Sequence, residues 1–126
     1  MAYPANYRYT REHEWIAPDG AIGITDYAQK SLGDIVYVDV PKVGDPVTAG
    51  VAFGSVESVK AVSDLFSPVT GAVTAVNEEL KSSPDKINEA PHDAWIIKVD
   101  IADPSQLNAL LDAAAYEAFI AEETGG

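Results

Sequence analysis

Residues 51–76, VAFGSVESVKAVSDLFSPVTGAVTAV, decide the fold. They read as two strands meeting at Lys60. On the near side Val51, Phe53 and Ser55 alternate with Ala52, Gly54 and Val56, the period of two that an extended strand imposes on its two faces. On the far side Val69, Gly71, Val73 and Ala75 alternate with Thr70, Ala72, Thr74 and Val76. Between them Glu57-Ser58-Val59-Lys60-Ala61-Val62-Ser63-Asp64 places one lysine among small and β-branched residues, bracketed by acids.

A strand lysine ordinarily keeps a surface wet, its hydrated ammonium at the end of a flexible stem. Here a local repeat argues for more. Pro46-Val47-Thr48, followed by Gly50, recurs as Pro68-Val69-Thr70, followed by Gly71, and Lys60 falls near the midpoint. Two similar halves meeting at one tip suit a small sheet sandwich with quasi-twofold symmetry. A turn at the symmetry point would hold one ammonium out in solvent on a stiff support.

The chain has 126 residues, a length suited to one domain that buries roughly two thirds of its unfolded surface. Apolar residues make up 47% of it, with no run near the ~20 needed to span a bilayer, so a soluble protein is expected. The opening MAYPANYRYT has neither an apolar core nor an Arg/Ser-rich amphipathic pattern, so no targeting segment and a cytoplasmic location are expected. Without cysteine there is no disulfide, thiolate metal site or cysteine nucleophile, and any sulfur redox chemistry must sit on an attached group. Twenty acids against eight bases give a net charge of −12, which opposes nucleic acid and anionic membranes and favours neutral or basic partners.

The rest of the chain predicts elements around the lysine hairpin. A polar strand starts YRYTREHEW (7–15), and a first hairpin pairs 14–17 with 21–24 across Pro18-Asp19-Gly20. Thr25 caps a two-turn helix that Gly33 stops. DIVYVDV (34–40) is the strongest strand, ended by Pro41, and VGDPVTAG (43–50) is a tight turn. Residues 77–88 read as a loop with one helical turn near 78–81, and 94–99 as a closing strand. Asp103-Pro104-Ser105-Gln106 opens a helix, Asp112 a second one, and 122–126 read as a frayed tail. Trp15, Trp95 and Tyr37 are expected in core or rim packing, and Gly54 and Gly71 at turns or close strand approaches. His13 between Glu12 and Glu14 lacks a second histidine at metal-ligand spacing, so no metal site is expected. No nucleophile elbow, triad spacing or phosphate loop is visible, so no enzyme active site is expected either.

VGDPVTAG, GSVESVKAVSD and SPVTGAVTAVN together resemble the lipoyl hairpin of the glycine cleavage H-protein family, which is related in fold to lipoyl and biotinyl carriers. Val59-Lys60-Ala61 after Glu57-Ser58 is the H-protein form, distinct from the Met-Lys-Met of biotin carriers and the Asp-Lys-Ala of acyltransferase lipoyl domains. His13-Glu14-Trp15, the run 23–38, Asn88-Glu89 with Pro91, and 95–98 resemble the family too, so the likeness spans about 7–123.

The resemblance implies a mainly β barrel-sandwich hybrid, one domain over 1–126. Its β-rich carrier core would cover 7–100, and its C-terminal helical segment, 103–123, would pack on the sheets. It implies a non-catalytic shuttle with lipoic acid in amide linkage at Lys60, formed by a lipoate-attaching enzyme. The arm would receive the aminomethyl group of glycine from glycine decarboxylase (P protein) and deliver it to the aminomethyltransferase (T protein). Dihydrolipoyl dehydrogenase (L protein) would reoxidise it, and a carrier serving several docking sites in turn is expected to be a monomer. The family's contacts to the carried amine fall on Glu14 and Asp64, with Glu12 adding to the same acidic pocket. Glu57 is either a recognition residue for the attaching enzyme or a plain charged strand residue. Two departures stand out: Ser31 where some members have histidine, which carries no role here, and Glu12 where a small polar residue is usual. Two other functions fit the same residues, an H-like lipoyl donor to other carriers and an acidic interaction module with Lys60 unmodified.

Overall fold

The computed structural model describes residues 3–123. Nine strands and four short α-helices alternate along it: β1 Arg8–Tyr9, β2 Glu14–Ile16, β3 Ala21–Ile24, α1 Asp26–Leu32, β4 Ile35–Asp39, β5 Pro46–Val47, β6 Ala52–Ser58, β7 Val62–Phe66, β8 Gly71–Val76, α2 Glu79–Ser82, α3 Lys86–Glu89, β9 Ile97–Ile101 and α4 Ala113–Glu123, with a 3-10 helix at Pro104–Ala109. The strands form a six-stranded sheet, β1-β2-β3-β9-β8-β5, and a three-stranded sheet, β4-β6-β7, with every strand pair antiparallel. The architecture is thus mainly β, with short helices, as the pattern of short strands and turns predicts.

The two sheets enclose one apolar cluster. Ile22, Ile97, Val73 and Val99 come from the larger sheet and Ile35, Val38, Val56 and Leu65 from the smaller, all at most 5% exposed. Each such side chain contributes about 1.5–3 kcal/mol by leaving water. A second cluster lies about β1 and β2, where Tyr9, Trp15 and Tyr116 are buried with Leu111, Phe119 and Ile120 against them. It is this cluster that docks α4. No helix among the described residues is long and apolar enough to cross a membrane.

Several elements differ from expectation for identifiable reasons. The partner of β6 in the lysine hairpin is Val62–Phe66, and Gly71–Val76 belongs to the other sheet. The chain crosses between sheets at Ser67-Pro68, where proline ends the ladder and the Ser67 hydroxyl donates to Val69 C=O at 2.5 Å. Within VGDPVTAG, Pro46–Val47 form a strand that pairs with β8, so the segment does more than turn. Tyr37 is 58% exposed instead of packed. A bulge between Ile35 and Tyr37 absorbs one residue, so Val36 and Tyr37 both face outward while Ile35 and Val38 face in.

Two helical turns, α2 and α3, occupy the expected loop, and the closing strand starts at Ile97, because Asp93 and Ala94 N–H groups still bond Ala90 C=O. The C-terminal segment forms two helices, as expected, but the first is a 3-10 helix. Leu111 exchanges both backbone hydrogen bonds with Tyr9, which requires extended chain there, and Asp112 then starts α4 by accepting from Ala115 N–H at 2.8 Å. Glu122 and Glu123 belong to α4 instead of a frayed tail, while 124–126 lie outside the described residues. Gly54 and Gly71 stand within strands: a Cβ on either would lie 2.2 Å from a carbonyl oxygen, of Asp39 and Asp100 respectively. They mark close approach and not turns.

Candidate functional site

The tip between β6 and β7 is built by Ser58. Its backbone N–H donates to Ala61 C=O at 2.8 Å, closing the turn. Its hydroxyl accepts from the N–H groups of Lys60 (3.3 Å) and Ala61 (3.1 Å) and donates to Ala61 C=O (3.2 Å). Ser58 is 6% exposed, so these bonds form out of water and fix the turn backbone. Val59 N–H donates to Asp34 C=O at 3.0 Å, which ties the tip to the loop after α1.

That loop has its own anchor. Gly33 ends α1 at φ +83°, a conformation glycine adopts without strain, and a Cβ there would come 3.6 Å from Lys60 Cε. The lysine stem therefore lies over the glycine. Asn88 holds the loop from below: its amide donates to Gly33 C=O and to Gln29 Oε1, both at 2.9 Å, and its oxygen accepts from Ile35 N–H at 2.9 Å. Lys60 itself is exposed, between Val59 (69% exposed) and Val62 (65%), and its ammonium has no ion-pair or hydrogen-bond partner among the described residues. An unpaired amine on a fixed turn is open to acylation, and its removal as a charge breaks no contact.

The outer face of the three-stranded sheet carries two transverse rows. Tyr37, Glu57 and Val62 are paired neighbours near the tip, and Asp39, Ser55 and Asp64 form the next outward row. Glu57 and Asp64 are thus both solvent-facing. Glu14 is the opposite case, 1% exposed at the start of β2. Thr10 donates its hydroxyl to Glu14 Oε1 at 2.6 Å, and Phe66 N–H, at the end of β7, donates to Oε2 at 3.2 Å. Burial pushes the Glu14 carboxyl up to about 7; the two donors pull the other way, and the negative charge of Glu12 adds to the rise.

The structure therefore brings Glu14 to the same strand as Asp64, two residues from it, through the Phe66 amide. It keeps Glu12 apart. Glu12 is exposed and lines a cavity of about 450 Å³ with Arg11, Gln106 and Leu110, a lining that includes neither Asp64 nor Lys60. Among the described residues no three metal-ligating side chains cluster. Sequence reasoning missed Thr10, Ser58 and Asn88 as functional supports. Ser58 and Asn88 stood inside quoted motifs, but a hydroxyl turned back on its own turn and an amide with three partners are visible only once the elements meet.

Comparison with known proteins adds an independent line. The family model described as glycine cleavage H-protein matches residues 7–123. The chain is 66% identical over 128 residues to the glycine cleavage system H protein of Acidobacterium capsulatum, covering 99% of each chain. It is also 66% identical over 125 residues to that of Koribacter versatilis, again covering 99% of each. Among solved structures, a glycine cleavage system H protein from Mycobacterium marinum superposes with a TM-score of 0.81 at 37% identity, covering 98% of this chain and 100% of that one.

Proposed function

The chain belongs to the glycine cleavage H-protein family, and on that premise we propose that it carries its lipoyl group on Lys60. As a family member it is a non-catalytic, lipoyl-carrying shuttle of the glycine cleavage system. The observation that supports Lys60 is the pairing of an unpartnered, exposed ammonium with a turn that Ser58, Asp34 and Asn88 make rigid. When bound, a lipoyl group supplies a disulfide that can be opened and a thiol that can hold a one-carbon amine. The chain's own residues present that group. A tether on a stiff tip keeps the carried group at high local concentration wherever the tip docks.

Glu14 and Asp64 are the residues that fit a cationic amine. Asp64 is four residues from Lys60, no more than about 14 Å of extended chain, within the compass of a long arm folded back along β7. Asp64 offers an exposed carboxylate there. Glu14 offers a buried one that holds its proton up to about pH 7 and can give it up when a cation arrives. Glu12, on the exposed side of the same turn, contributes negative potential to Glu14 more than direct contact. Glu57, in the row nearest the tip, is the acid that the attaching enzyme reads.

The partners in this reading are glycine decarboxylase (P protein), the aminomethyltransferase (T protein) and dihydrolipoyl dehydrogenase (L protein), served by a cytoplasmic monomer. Residues 7–100 form its carrier core, and 103–123 a helical segment of the same domain. Intact-mass analysis of the full chain from cells fed lipoate tests the central claim. One lipoyl increment is expected on the parent chain and none on Lys60→Arg, with both melting alike. An unmodified parent chain, or an increment that survives Lys60→Arg, overturns it.

A further inference from the structure

His13 is the one non-glycine residue with positive φ among the described residues, at +74°. A side chain disfavours that conformation, so surrounding contacts must hold it. The backbone of the turn is closed by Thr10 N–H to Glu14 C=O (2.9 Å), His13 N–H to Thr10 C=O (3.2 Å) and Thr25 N–H to His13 C=O (3.0 Å). The ring is held from α4: Nδ1 lies 2.7 Å from the Tyr116 hydroxyl and Nε2 3.0 Å from Glu123 Oε2, while Tyr27 packs on its face at 4.6 Å.

These contacts fix the proton positions. Burial lowers the His13 pKa against the pull of Glu123 and Glu12, so the ring is neutral near pH 7. Nε2 faces a carboxylate and so carries the N–H; Nδ1 therefore accepts from Tyr116 O–H. Tyr116, fully buried, in turn accepts from the Thr25 hydroxyl at 2.7 Å, and Thr25 Oγ1 caps α1 by accepting from Ala28 N–H at 3.2 Å. Donors thus run one way from Thr25 through Tyr116 to His13 and on to Glu123.

We propose that α4 is a positioning clamp for Glu14: Tyr116 and Glu123 hold His13 left-handed, and that turn places the next side chain, Glu14, beneath the Thr10 hydroxyl and the Phe66 N–H. The inference rests on the reading that Glu14 meets the carried amine, and it extends that reading to a helix remote in sequence. The charges that bear on this turn are Glu12 on Glu14, and Glu123 and Glu12 on His13.

The test uses the full chain as parent, Tyr116→Phe, Glu123→Gln, Glu14→Ala and the double variant Tyr116→Phe/Glu14→Ala. Tyr116→Phe retains the ring stacked on Tyr9 at 4.8 Å, and Glu123 sits at the partly exposed end of α4, so at least one clamp variant stays folded. The first readout needs no arm: the Glu14 carboxyl midpoint by carbon-13 NMR is expected to fall in both clamp variants as water enters, by roughly tenfold in proton affinity. The second uses lipoylated, reduced protein loaded with formaldehyde and ammonia, in which a thiol S–H and the two reagents give S–CH₂–NH₂ and water. Loss of the load is expected to quicken about fivefold in Tyr116→Phe, the size of one broken buried hydrogen bond. The double variant is expected to match Glu14→Ala. If Glu14→Ala quickens loss but the clamp variants keep the parent's midpoint and rate, or if the double variant is additive, the clamp is wrong and the Glu14 reading stands. If Glu14→Ala decays at the parent's rate, the Glu14 reading falls and takes the clamp's function with it.

Discussion

Glu14→Gln keeps the shape of a buried side chain while removing its proton, and the structure sets the size of the effect. Glu14 is 1% exposed, and burial raises its carboxyl from 4.5 to about 7. A group that holds its proton more tightly when folded adds stability in full below its unfolded pKa, and that stability is lost as pH rises through the folded pKa. At about 1.4 kcal/mol per unit, the whole shift corresponds to about 3 kcal/mol. Integrated between roughly pH 5 and pH 8, about 2.5 kcal/mol of it is expressed. His13 and His92 act in the opposite sense, since burial lowers both imidazoles and their contribution is lost as pH falls. Both are unchanged in the variant, so the difference between parent and Glu14→Gln isolates the carboxyl. Urea unfolding at the two pH values, with equal slopes, measures it. The parent is expected to lose about 2.5 kcal/mol relative to Glu14→Gln on going from the lower to the higher pH. A gap constant to within about 0.5 kcal/mol would show that Glu14 ionises as an ordinary carboxylate, and would refute the argument that it holds its proton until a cationic amine arrives.

Ser58→Ala strips the tip of the hydroxyl that accepts from two amides, and is expected to cost about 1–2 kcal/mol and to speed hydrogen exchange selectively at Lys60 and Ala61. Asn88→Ala removes three bonds under the Gly33 loop, and unfolding should report a loss of about 2–3 kcal/mol together with slower lipoate attachment at a loosened tip. Glu57→Gln, by contrast, touches only an exposed face; stability is expected to stay within about 0.5 kcal/mol while the attachment rate falls. An unchanged rate there would return Glu57 to being a plain surface charge.

The acids proposed to meet one amine are held in different ways. Asp64 needs only the alternation of a strand to face water, so its place follows from local sequence. Glu14 depends on a left-handed turn, a threonine four residues before it, an amide from β7 and a ring held by α4, so the turn needs support from two distant elements. Loss of any one is felt at the carboxyl.

Residue order alone specified the mainly β architecture, the first hairpin, the Thr25 cap and Gly33 stop of α1, and the lysine at a strand-to-strand turn. Those features depend on neighbours within a few positions, where period-two alternation, capping side chains and proline or glycine backbone limits act. Tertiary structure decided which strand pairs with β6, because alternation marks 69–76 as a strand but does not mark 62–66, and only closing two sheets over one core makes 62–66 the partner of β6. It also decided that Tyr37 faces out, through a one-residue bulge, and that Glu14 keeps its proton, through burial. Each of these is set by surfaces brought together from distant positions, and the free energy of desolvation and register exists only after they meet.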